Sequence, residues 1–259
     1  MTSGTLRAGI ALAFVLFGAV GIMRPGVAPA LAADGIECGD VLDKDKTYTL
    51  TANVGPCDNE GDALTVVGPA RLDLNGHTVS CLSFDVDYAV RLVGRGAKVF
   101  DGSVRGCNDG VGLYDDGRYQ VTKVTATENN FDGFDLGSPN NRLNKNRAID
   151  NDDDGFDLYD EAADRNVLTL NRASANGVEQ GGGNGFRLQG DATENALRRN
   201  RATNNDGSGI LAGGSALDNT FKQNKASGNG DSDLADDNLA CDNNTWKQNT
   251  GTTSQGCID

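Results

Sequence analysis

The feature that most constrains the fold is a short asparagine-containing repeat in the second half of the chain. The repeat reads Asn-x-Φ-x-x-Asn-x-Ala, where Φ is an apolar residue, and its last copy stops at the second asparagine. The first asparagines of the copies are Asn141, Asn166, Asn195, Asn219 and Asn244, with steps of 25, 29, 24 and 25 residues. A period in the twenties without a helical run predicts a solenoid in which each repeat forms one coil.

A second block of the form Gly-Φ-x-Φ lies between these copies. It begins at Gly133, Gly155, Gly185 and Gly209. Apolar residues at alternate positions predict a short strand with one face in the core. The many Asn, Asp and Gly residues in each unit argue against a helical repeat, because all three are weak helix formers.

Stacking of the coils would place equivalent residues one strand spacing apart, about 4.8 Å. We therefore expect an apolar core column at Leu143, Leu168, Leu197, Phe221 and Trp246, and a small inner column at Ala148, Ala173, Ala202 and Ala226. We also expect an amide ladder at Asn146, Asn171, Asn200, Asn224 and Asn249. Each carboxamide in such a ladder can bond to the next and satisfy the backbone of the turn.

The six cysteines cluster towards the two ends of the chain, which favours pairing in sequential order. The predicted disulfides are Cys38–Cys57, Cys81–Cys107 and Cys241–Cys257. Gly76 and Gly102 are 26 residues apart, as are Cys81 and Cys107, so this segment reads as two earlier coils. Cysteines in one column of adjacent coils have a Cα separation that suits a disulfide. The outer pairs would then pin caps over the two exposed ends.

The N-terminus has the pattern of a secretory signal peptide. Arg7 is followed by an apolar run from Ala8 to Met23 and by the small residues of Ala28–Ala32, so we expect cleavage after Ala32. The apolar run is shorter than the roughly 20 residues of a membrane span. These observations predict a protein that is secreted, periplasmic or on the cell surface, where disulfides are the expected state of the cysteines.

The predicted organisation is a removed signal peptide over residues 1–32, an N-terminal cap over 33–60, the coils over 61–250 and a C-terminal cap over 251–259. The formal net charge is −14, and removal of the signal peptide takes away only positive charges. Such a surface repels nucleic acid and anionic membranes, which bind proteins through Lys and Arg. A polyanionic ligand would need a bridging cation or a local basic patch.

The repeat resembles those of the parallel β-helix proteins in the pectate-lyase-like superfamily, and Leu72–Val79 resembles the first coils of right-handed β-helix proteins grouped with carbohydrate-binding and sugar-hydrolase repeats. The resemblance covers about residues 60–250. It implies an all-β fold, a single-stranded right-handed parallel β-helix of about 7–8 coils with disulfide-pinned ends. The catalytic motifs Gly-His-Gly, Arg-Ile-Lys and Asp-Pro-His of polygalacturonase-like and alginate epimerase relatives are absent, so no catalytic residue carries over.

Aligning the Gly-Φ-x-Φ blocks places Gly112, Asp135, Asp157 and Arg187 in one outward column. Two carboxylates one rung apart can act as an acid and a base, and an arginine can clamp a sugar carboxylate. The same residues would also fit a solvated face with a cross-rung ion pair. Tyr114 and Tyr159 fall beside this column and are candidates for stacking on sugars, although isolated surface tyrosines are equally common.

Asp150–Glu161 matches the spacing of an EF-hand calcium loop, but Asp157 occupies a position where that loop needs an apolar residue. The repeat explains Asp157 as an outward strand residue, so we assign the segment to a coil. Calcium could still bind at the turn through Asp152, Asp153 and Asp154, with Asp132 one coil below. The alternative is that these aspartates only form turns and start strands.

These observations predict an exported β-helix protein that binds an extracellular polysaccharide and cleaves or epimerises it as a lyase, epimerase or hydrolase. Asp135 and Asp157 would be the acid/base or calcium-bridging pair, and Arg187 the substrate clamp. The alternative is a non-catalytic scaffold whose lateral face binds glycans or another protein. His77 is the only histidine, which rules out a metal site built on several histidines.

Overall fold

The computed structural model describes residues 35–82, 85–177, 182–238 and 243–258. Their regular structure is built from short strands, and the described segments contain no helix of the length and apolarity needed to cross a membrane. The expected signal peptide over residues 1–32 and the expected partner of Cys257, Cys241, lie outside the described residues.

The strands, numbered in chain order, form two sheets that run along the axis of the molecule. The ten-stranded sheet contains β1 (Asp40–Leu42), β4 (Leu64–Val67), β7 (Tyr88–Val93), β9 (Asp109–Leu113), β11 (Phe134–Leu136), β14 (Phe156–Leu158), β17 (Phe186–Leu188), β20 (Ile210–Ala212), β23 (Leu234–Asp236) and β25 (Ser254–Gly256). The 15-stranded sheet contains β2 (Thr47–Thr49), β3 (Val54–Cys57), β5 (Arg71–Asp73), β6 (Thr78–Cys81), β8 (Lys98–Arg105), β10 (Gln120–Thr127), β12 (Arg142–Asn144), β13 (Arg147–Ile149), β15 (Val167–Thr169), β16 (Arg172–Ser174), β18 (Ala196–Arg198), β19 (Arg201–Thr203), β21 (Thr220–Lys222), β22 (Lys225–Ser227) and β24 (Thr245–Lys247).

Each strand pairs in parallel with its equivalent one coil away, so the predicted parallel β-helix is confirmed. The described part of the chain makes about nine turns, so the predicted 7–8 coils were too few. The difference arises at the N-terminal end. β1, β2 and β3 lie in the segment expected to form a cap, and they pair with β4, β5 and β6 as a further coil.

The 15-stranded sheet is bent along its length into two limbs. β10 pairs with β12 through Gln120–Thr122 and with β13 through Thr125–Thr127. Between β12 and β13 the chain turns through Lys145, which has a φ of 58°, and the equivalent Leu170 has a φ of 59°. This left-handed residue interrupts the strand alternation and turns the following side chain into the core.

The core consists of the predicted columns. Leu143, Leu168 and Leu197 are in register and almost fully buried, and the column continues to Phe221 and Trp246, whose rings stack 3.9 Å apart. On the other sheet, Phe134 stacks on Phe156 and Phe156 stacks on Phe186, at centroid distances of 4.6 and 4.7 Å. Each coil therefore buries its apolar face against the next coil and not within itself.

The predicted amide ladder is confirmed. The side-chain oxygen of Asn200 accepts the backbone N–H of Asn171 at 2.9 Å, and its Nδ2 donates to the carbonyl of Leu168 at 2.9 Å. The side chain of Asn171 makes the same two bonds to Asn146 and Leu143. Each amide thus pairs the N–H that follows the left-handed residue at the bend of the preceding coil and adds a bond to a strand carbonyl.

Two further asparagine ladders run parallel to this one. The first asparagines of the repeat form one of them, in which each backbone N–H is bonded to the next side-chain oxygen. Neither of these two ladders was predicted from the sequence, and the second contains Asn129, Asn151, Asn176, Asn205 and Asn229. It ends at Asp233, whose Oδ1 accepts from Asn229 Nδ2 at 2.8 Å and whose Oδ2 accepts from the N–H of Thr252 at 2.7 Å. A carboxylate suits the end of an amide chain because it only accepts hydrogen bonds.

The predicted disulfides Cys38–Cys57 and Cys81–Cys107 are present, with Cα separations of 5.5 and 5.0 Å. Cys38–Cys57 ties together the two ends of the first coil, and Cys81–Cys107 joins adjacent coils. The pairing predicted for Cys241 with Cys257 involves a residue outside the described ranges.

Replacing Asn200 with alanine should destabilise the fold strongly. The substitution leaves the buried N–H of Asn171 without its partner and removes the amide's bond to the carbonyl of Leu168, and we expect the unpaired N–H to cost about 1–3 kcal/mol. Ser227→Ala is the control, because Ser227 lies on the outer side of β22 and its side chain takes no part in the ladders. Guanidinium unfolding followed by circular dichroism measures both, and equal midpoints for the two variants would contradict the role of the ladder.

Asp233 should contribute stability that depends on pH. Burial alone would raise its pKa, but hydrogen bonds from Thr252 and Asn229 outweigh burial and lower the pKa to about 2. A folded-state pKa below the unfolded value of 3.8 means that this stability is complete above the unfolded pKa and is lost as pH falls through the folded one. Asp233→Asn should therefore be less stable than the wild type at about pH 5, and the gap should narrow between about pH 4 and 2. A gap that stays constant over this range would contradict the assignment.

Candidate functional site

The predicted polar column is present on the ten-stranded sheet. Gly112, Asp135, Asp157 and Arg187 are direct partners on β9, β11, β14 and β17. Each lies between two core residues of its strand, as Asp135 does between Phe134 and Leu136, so its side chain points away from the core. The register also adds a residue that the sequence analysis missed, because Arg91 on β7 pairs with Gly112. The column therefore has an arginine at each end and two carboxylates between them.

The two carboxylates are buried, whereas the alternative interpretation of the column was a solvated face. Asp135 is 7% exposed and Asp157 is 6% exposed. The reason is the size of the side chains beside them. Tyrosines cover Asp135, and Arg187 and Gln189 cover Asp157. The two carboxylates are therefore buried although their side chains point away from the core.

Three tyrosines surround Asp135. The hydroxyl of Tyr114 donates to Asp135 Oδ2, and the hydroxyl of Tyr88 lies 3.3 Å from the same oxygen and 2.9 Å from the Tyr114 hydroxyl. Tyr159 donates to the Tyr114 hydroxyl at 3.3 Å. Gly112 makes room for these rings, because a Cβ there would lie 2.6 Å from the ring of Tyr88. The predicted pair Tyr114 and Tyr159 is thus part of a larger aromatic wall that holds Asp135 from one side.

Arg187 is engaged with carboxylates of its own chain. Its Nη1 donates to Asp154 Oδ2 at 2.9 Å, and its Nε lies 3.8 Å from Asp157 Oδ1. The amide of Gln189 donates to Asp157 Oδ2 at 2.9 Å and also accepts a hydrogen bond from Arg187 Nη2. A sugar carboxylate that reached Arg187 would therefore have to share the guanidinium with Asp154 and Asp157.

The aspartates of the turns before the strands form a ladder of their own. Asp109 Oδ1 accepts the N–H of Asp132, Asp132 Oδ1 accepts the N–H of Asp154, both at 2.8 Å, and Asp154 Oδ1 accepts the N–H of Asn184. The turn-forming role that sequence analysis kept as an alternative is therefore real for Asp132 and Asp154. Each of these carboxylates uses one oxygen in the ladder. The second oxygen of Asp154 accepts from Arg187, and those of Asp109 and Asp132 remain for another contact.

Two groups of carboxylates have oxygens close enough to share a cation. Asp132, Asp153 and Asp154 form one group, and Asp109, Asp132 and Asp135 form the other, with ligand atoms within 4.8 Å of one another in each. The predicted calcium ligands Asp132 and Asp154 are thus brought together, but Asp153 and not Asp152 completes their group. The turn brings the side chains of the consecutive residues Asp153 and Asp154 towards Asp132, and this local geometry is not visible in the sequence.

The two groups differ in the positive charge beside them. Arg187 forms an ion pair with Asp154 in the first group. In the second group, no Lys or Arg nitrogen of the described residues lies within 4.0 Å of Asp109, Asp132 or Asp135. Asp135 Oδ1 is also buried without a hydrogen-bond partner. An unpaired buried carboxylate oxygen next to two other carboxylates is an unfavourable arrangement unless a proton or cation compensates it.

The pKa values of these carboxyl groups reflect the same lack of a neighbouring positive charge. Burial, followed by the charge of Asp135, raises the pKa of Asp109 to about 7. Burial raises the pKa of Asp135 to about 6 even though hydrogen bonds from Tyr114 and Tyr88 lower it. The pKa of Asp132 is also well above its usual range because of burial and the neighbouring aspartates. Burial and the charge of Asp135 raise the pKa of Tyr114, so its hydroxyl remains a proton donor to Asp135.

Arg91, Tyr88 and Asp109 were not predicted from the sequence as site residues. Arg91 could have been found, because Val90–Leu92 has the same apolar-Arg-Leu pattern as Phe186–Leu188. Tyr88 starts its strand opposite Asp109 and reaches Asp135 only through its long side chain, so no repeat spacing indicates it. The guanidinium of Arg91 lies 5.9 and 5.6 Å from the rings of Tyr88 and Tyr114, within the range of a cation–π contact.

Solved β-helix structures are similar to this chain at low sequence identity, and no curated protein sequence matches it. A mutant of the periplasmic alginate epimerase AlgG is 16% identical with a TM-score of 0.54, over 83% of this chain and 50% of the epimerase. Pectate lyase Pel9A is 19% identical with a TM-score of 0.46, over 86% of this chain and 71% of the lyase. The A-module of the mannuronan C-5 epimerase AlgE4 of Azotobacter vinelandii is 17% identical with a TM-score of 0.39, over 75% and 68% of the two chains.

These likenesses concern the fold, because the identities are low and the chain spans only half the length of the periplasmic epimerase. The family assignment rests on the repeat itself. A family model described as "Right handed beta helix region" matches residues 74–226, which is more than half of the chain. This range contains the coils that carry the polar column and most of each asparagine ladder. The chain therefore belongs to the right-handed β-helix family.

Proposed function

We propose that this protein is exported and binds an acidic polysaccharide at the polar column, with a calcium ion held by Asp109, Asp132 and Asp135. The observation that carries the proposal is Asp135 Oδ1, a buried carboxylate oxygen without a partner beside two further carboxylates. Nothing in the described chain neutralises this group within ion-pair distance.

Calcium fits these residues on chemical grounds. It is a hard cation that prefers carboxylate and carbonyl oxygens in flexible geometry, and three carboxylates with added waters satisfy it. Asp109 and Asp132 each keep one oxygen in the turn ladder, so their positions are fixed before an ion binds. A bound calcium ion would neutralise the carboxylate of a uronic acid and make the neighbouring C–H more acidic.

The chain's own residues would then take the following roles. Asp157 is the candidate base, since its Oδ1 accepts no hydrogen bond and lies on the rung next to Asp135. Arg187 holds Asp157 in place and offers the remaining edge of its guanidinium to a sugar carboxylate. Tyr114 and Tyr159 present half-buried rings beside these groups, which suits stacking against a sugar.

The ligand class is supported by chemistry and by similarity. A uronic acid polymer offers the carboxylates that a calcium ion and an arginine recognise. The similar periplasmic epimerase acts on alginate, as its name states, and its fold is shared over most of this chain. The two disulfides are typical of proteins that fold in an oxidising compartment, which supports export.

A second candidate function is glycan binding without turnover. The burial of Asp135 and Asp157 favours it, because only a few per cent of either side chain is open to a substrate. The involvement of Arg187 with Asp154 also favours it, since the guanidinium is already paired. In this candidate, calcium and the tyrosines would bind the polymer and no proton would be transferred.

Calcium should stabilise the wild-type protein through Asp132. A calcium concentration about a hundredfold above the dissociation constant would add about 2.7 kcal/mol, which is several degrees in melting temperature. Asp132→Asn should lose this effect but keep the ladder of turn residues. An asparagine can make the ladder bond, because Asn184 accepts the N–H of Ser208 at the equivalent position further along. The exposed Asp116 provides the matched control Asp116→Asn. Identical melting in calcium and in chelator for the wild type would contradict the calcium site.

The catalytic candidate should show exchange of the proton next to the sugar carboxylate. We expect the wild type with calcium to exchange this proton with deuterated water or to release shortened products from polymannuronate or polygalacturonate. Asp157→Asn should lower kcat by about a hundredfold or more, as for loss of a general base, whereas exposed Asp160→Asn should not. Binding without exchange or product release would support the non-catalytic candidate, and the absence of both would reject the site.

A further inference from the structure

A strongly basic surface lies on the 15-stranded sheet, away from the polar column. Two neighbouring grooves of about 980 and 680 Å³ run along the bend between the two limbs of that sheet. Nine exposed cationic residues line them, and we call this surface the basic face: Lys145, Arg147, Arg172, Arg198, Arg199, Arg201, Lys222, Lys225 and Lys247. None of the described residues lining either groove is acidic.

The cations of the basic face are stacked by the register of the coils. Arg147, Arg172, Arg201 and Lys225 are direct partners on four successive coils. Their Cα atoms are therefore about 4.8 Å apart along the axis. A parallel column on the other limb holds Arg198, with Lys222 and Lys247 on the two coils that follow. Like charges placed directly opposite one another destabilise a sheet, so this arrangement opposes folding.

Five cations outside the basic face have acidic partners within the described residues. Lys123 Nζ lies 3.0 Å from Asp101, Arg165 Nε lies 2.8 Å from Glu194, and Arg105 pairs with Glu128. Lys123 has the same left-handed corner conformation as Lys145 on the next coil, yet only Lys123 has an acid beside it. In the described parts of the chain, none of the nine cations of the basic face forms an ion pair.

This contrast is unexpected in a chain whose formal net charge is −14. Acidic residues are abundant, and one at any of these outward positions would relieve the repulsion. The clustering of unpaired cations along one line is the electrostatic footprint expected of a surface that binds a polyanion.

We propose that the basic face binds a linear anionic polysaccharide that lies along the axis of the β-helix. A sugar unit is comparable in length to one rung, so successive carboxylates or sulfates can meet successive cations. The grooves also carry neutral donors and acceptors suited to sugar hydroxyls, among them Thr169, Thr220, Thr245, Gln223 and Gln248. This site is separate from the polar column and needs no calcium.

Two other anionic partners fit these grooves less well. Single-stranded nucleic acid binds on aromatic stacking platforms, and no aromatic residue is among the described lining residues. An anionic membrane is a broad surface that would also meet the acidic remainder of the protein, whereas a single polymer chain can stay within a groove.

The test is a binding titration in excess chelator at low salt, with fluorescent oligogalacturonates of increasing length as probes. We expect binding that strengthens with length and weakens as salt is added, because counterions are released from the polymer. The fourfold variant R147Q/R172Q/R201Q/K225Q should bind at least about tenfold more weakly. The control K44Q/K46Q/R95Q/R118Q removes the same number of exposed cations from other surfaces and should stay within about twofold of the wild type.

The basic-face variant should fold, since glutamine already occupies this face at Gln223 and Gln248 and the substitutions relieve repulsion. Its melting temperature should be no lower than that of the wild type. Equal binding by the two fourfold variants, or no binding by the wild type, would overturn the proposal. Tighter binding of oligodeoxythymidylate or of phosphatidylserine vesicles than of oligogalacturonate would overturn the ligand class.

The same titration separates this site from the polar column. The double variant D135N/D157N should bind oligogalacturonate in chelator as tightly as the wild type, because the basic face lies on the other sheet. A loss of binding in this double variant would place the polymer at the polar column and contradict the inference. Failure of the calcium or turnover experiments would leave the expected result of this titration unchanged.

Discussion

The hydrogen bonds of the buried asparagines allow this chain to turn sharply and still bury its backbone. At each bend between the two limbs of the larger sheet, the residue after a left-handed residue such as Lys145 has a backbone N–H that bonds to an asparagine side chain and not to a strand. The next residue, Asn146, points inwards, accepts the N–H of Val124 and donates to the carbonyl of Val121, one coil away. Unpaired buried backbone groups cost about 1–3 kcal/mol each. The ladders therefore fix the register of the coils, and the register fixes which residues share a column.

Both candidate surfaces follow from this register. A column concentrates whatever residue type the repeat carries at an outward position, because the same position returns about every 4.8 Å. On the smaller sheet this produces the carboxylates Asp135 and Asp157 between Arg91 and Arg187. On the larger sheet it produces the line of arginines from Arg147 to Arg201. One acidic protein can thus present an acidic cluster that attracts a cation and a basic groove that attracts a polyanion.

The sequence predicts the fold and the columns well because both depend on periodicity. The alignment of Asp135, Asp157 and Arg187 follows from the Gly-Φ-x-Φ blocks, and the pairing of Cys81 with Cys107 follows from their shared step. Periodicity does not predict which column residues are buried, because their burial depends on side chains from other positions. Tyr88 covers Asp135 from an unrelated position, and Gln189 covers Asp157 from beyond the end of the strand.

The choice of Asp153 over Asp152 beside Asp132 depends on the path of a turn, which has no periodic signal.

We infer that the buried oxygen of Asp135 marks a cation site shared with Asp109 and Asp132. The most direct measurement is an anomalous difference map from crystals grown with calcium and soaked in a lanthanide. We expect one strong peak within coordination distance of these three carboxylates. A map without a peak there, or with its peak only beside Asp153 and Asp154, would contradict it.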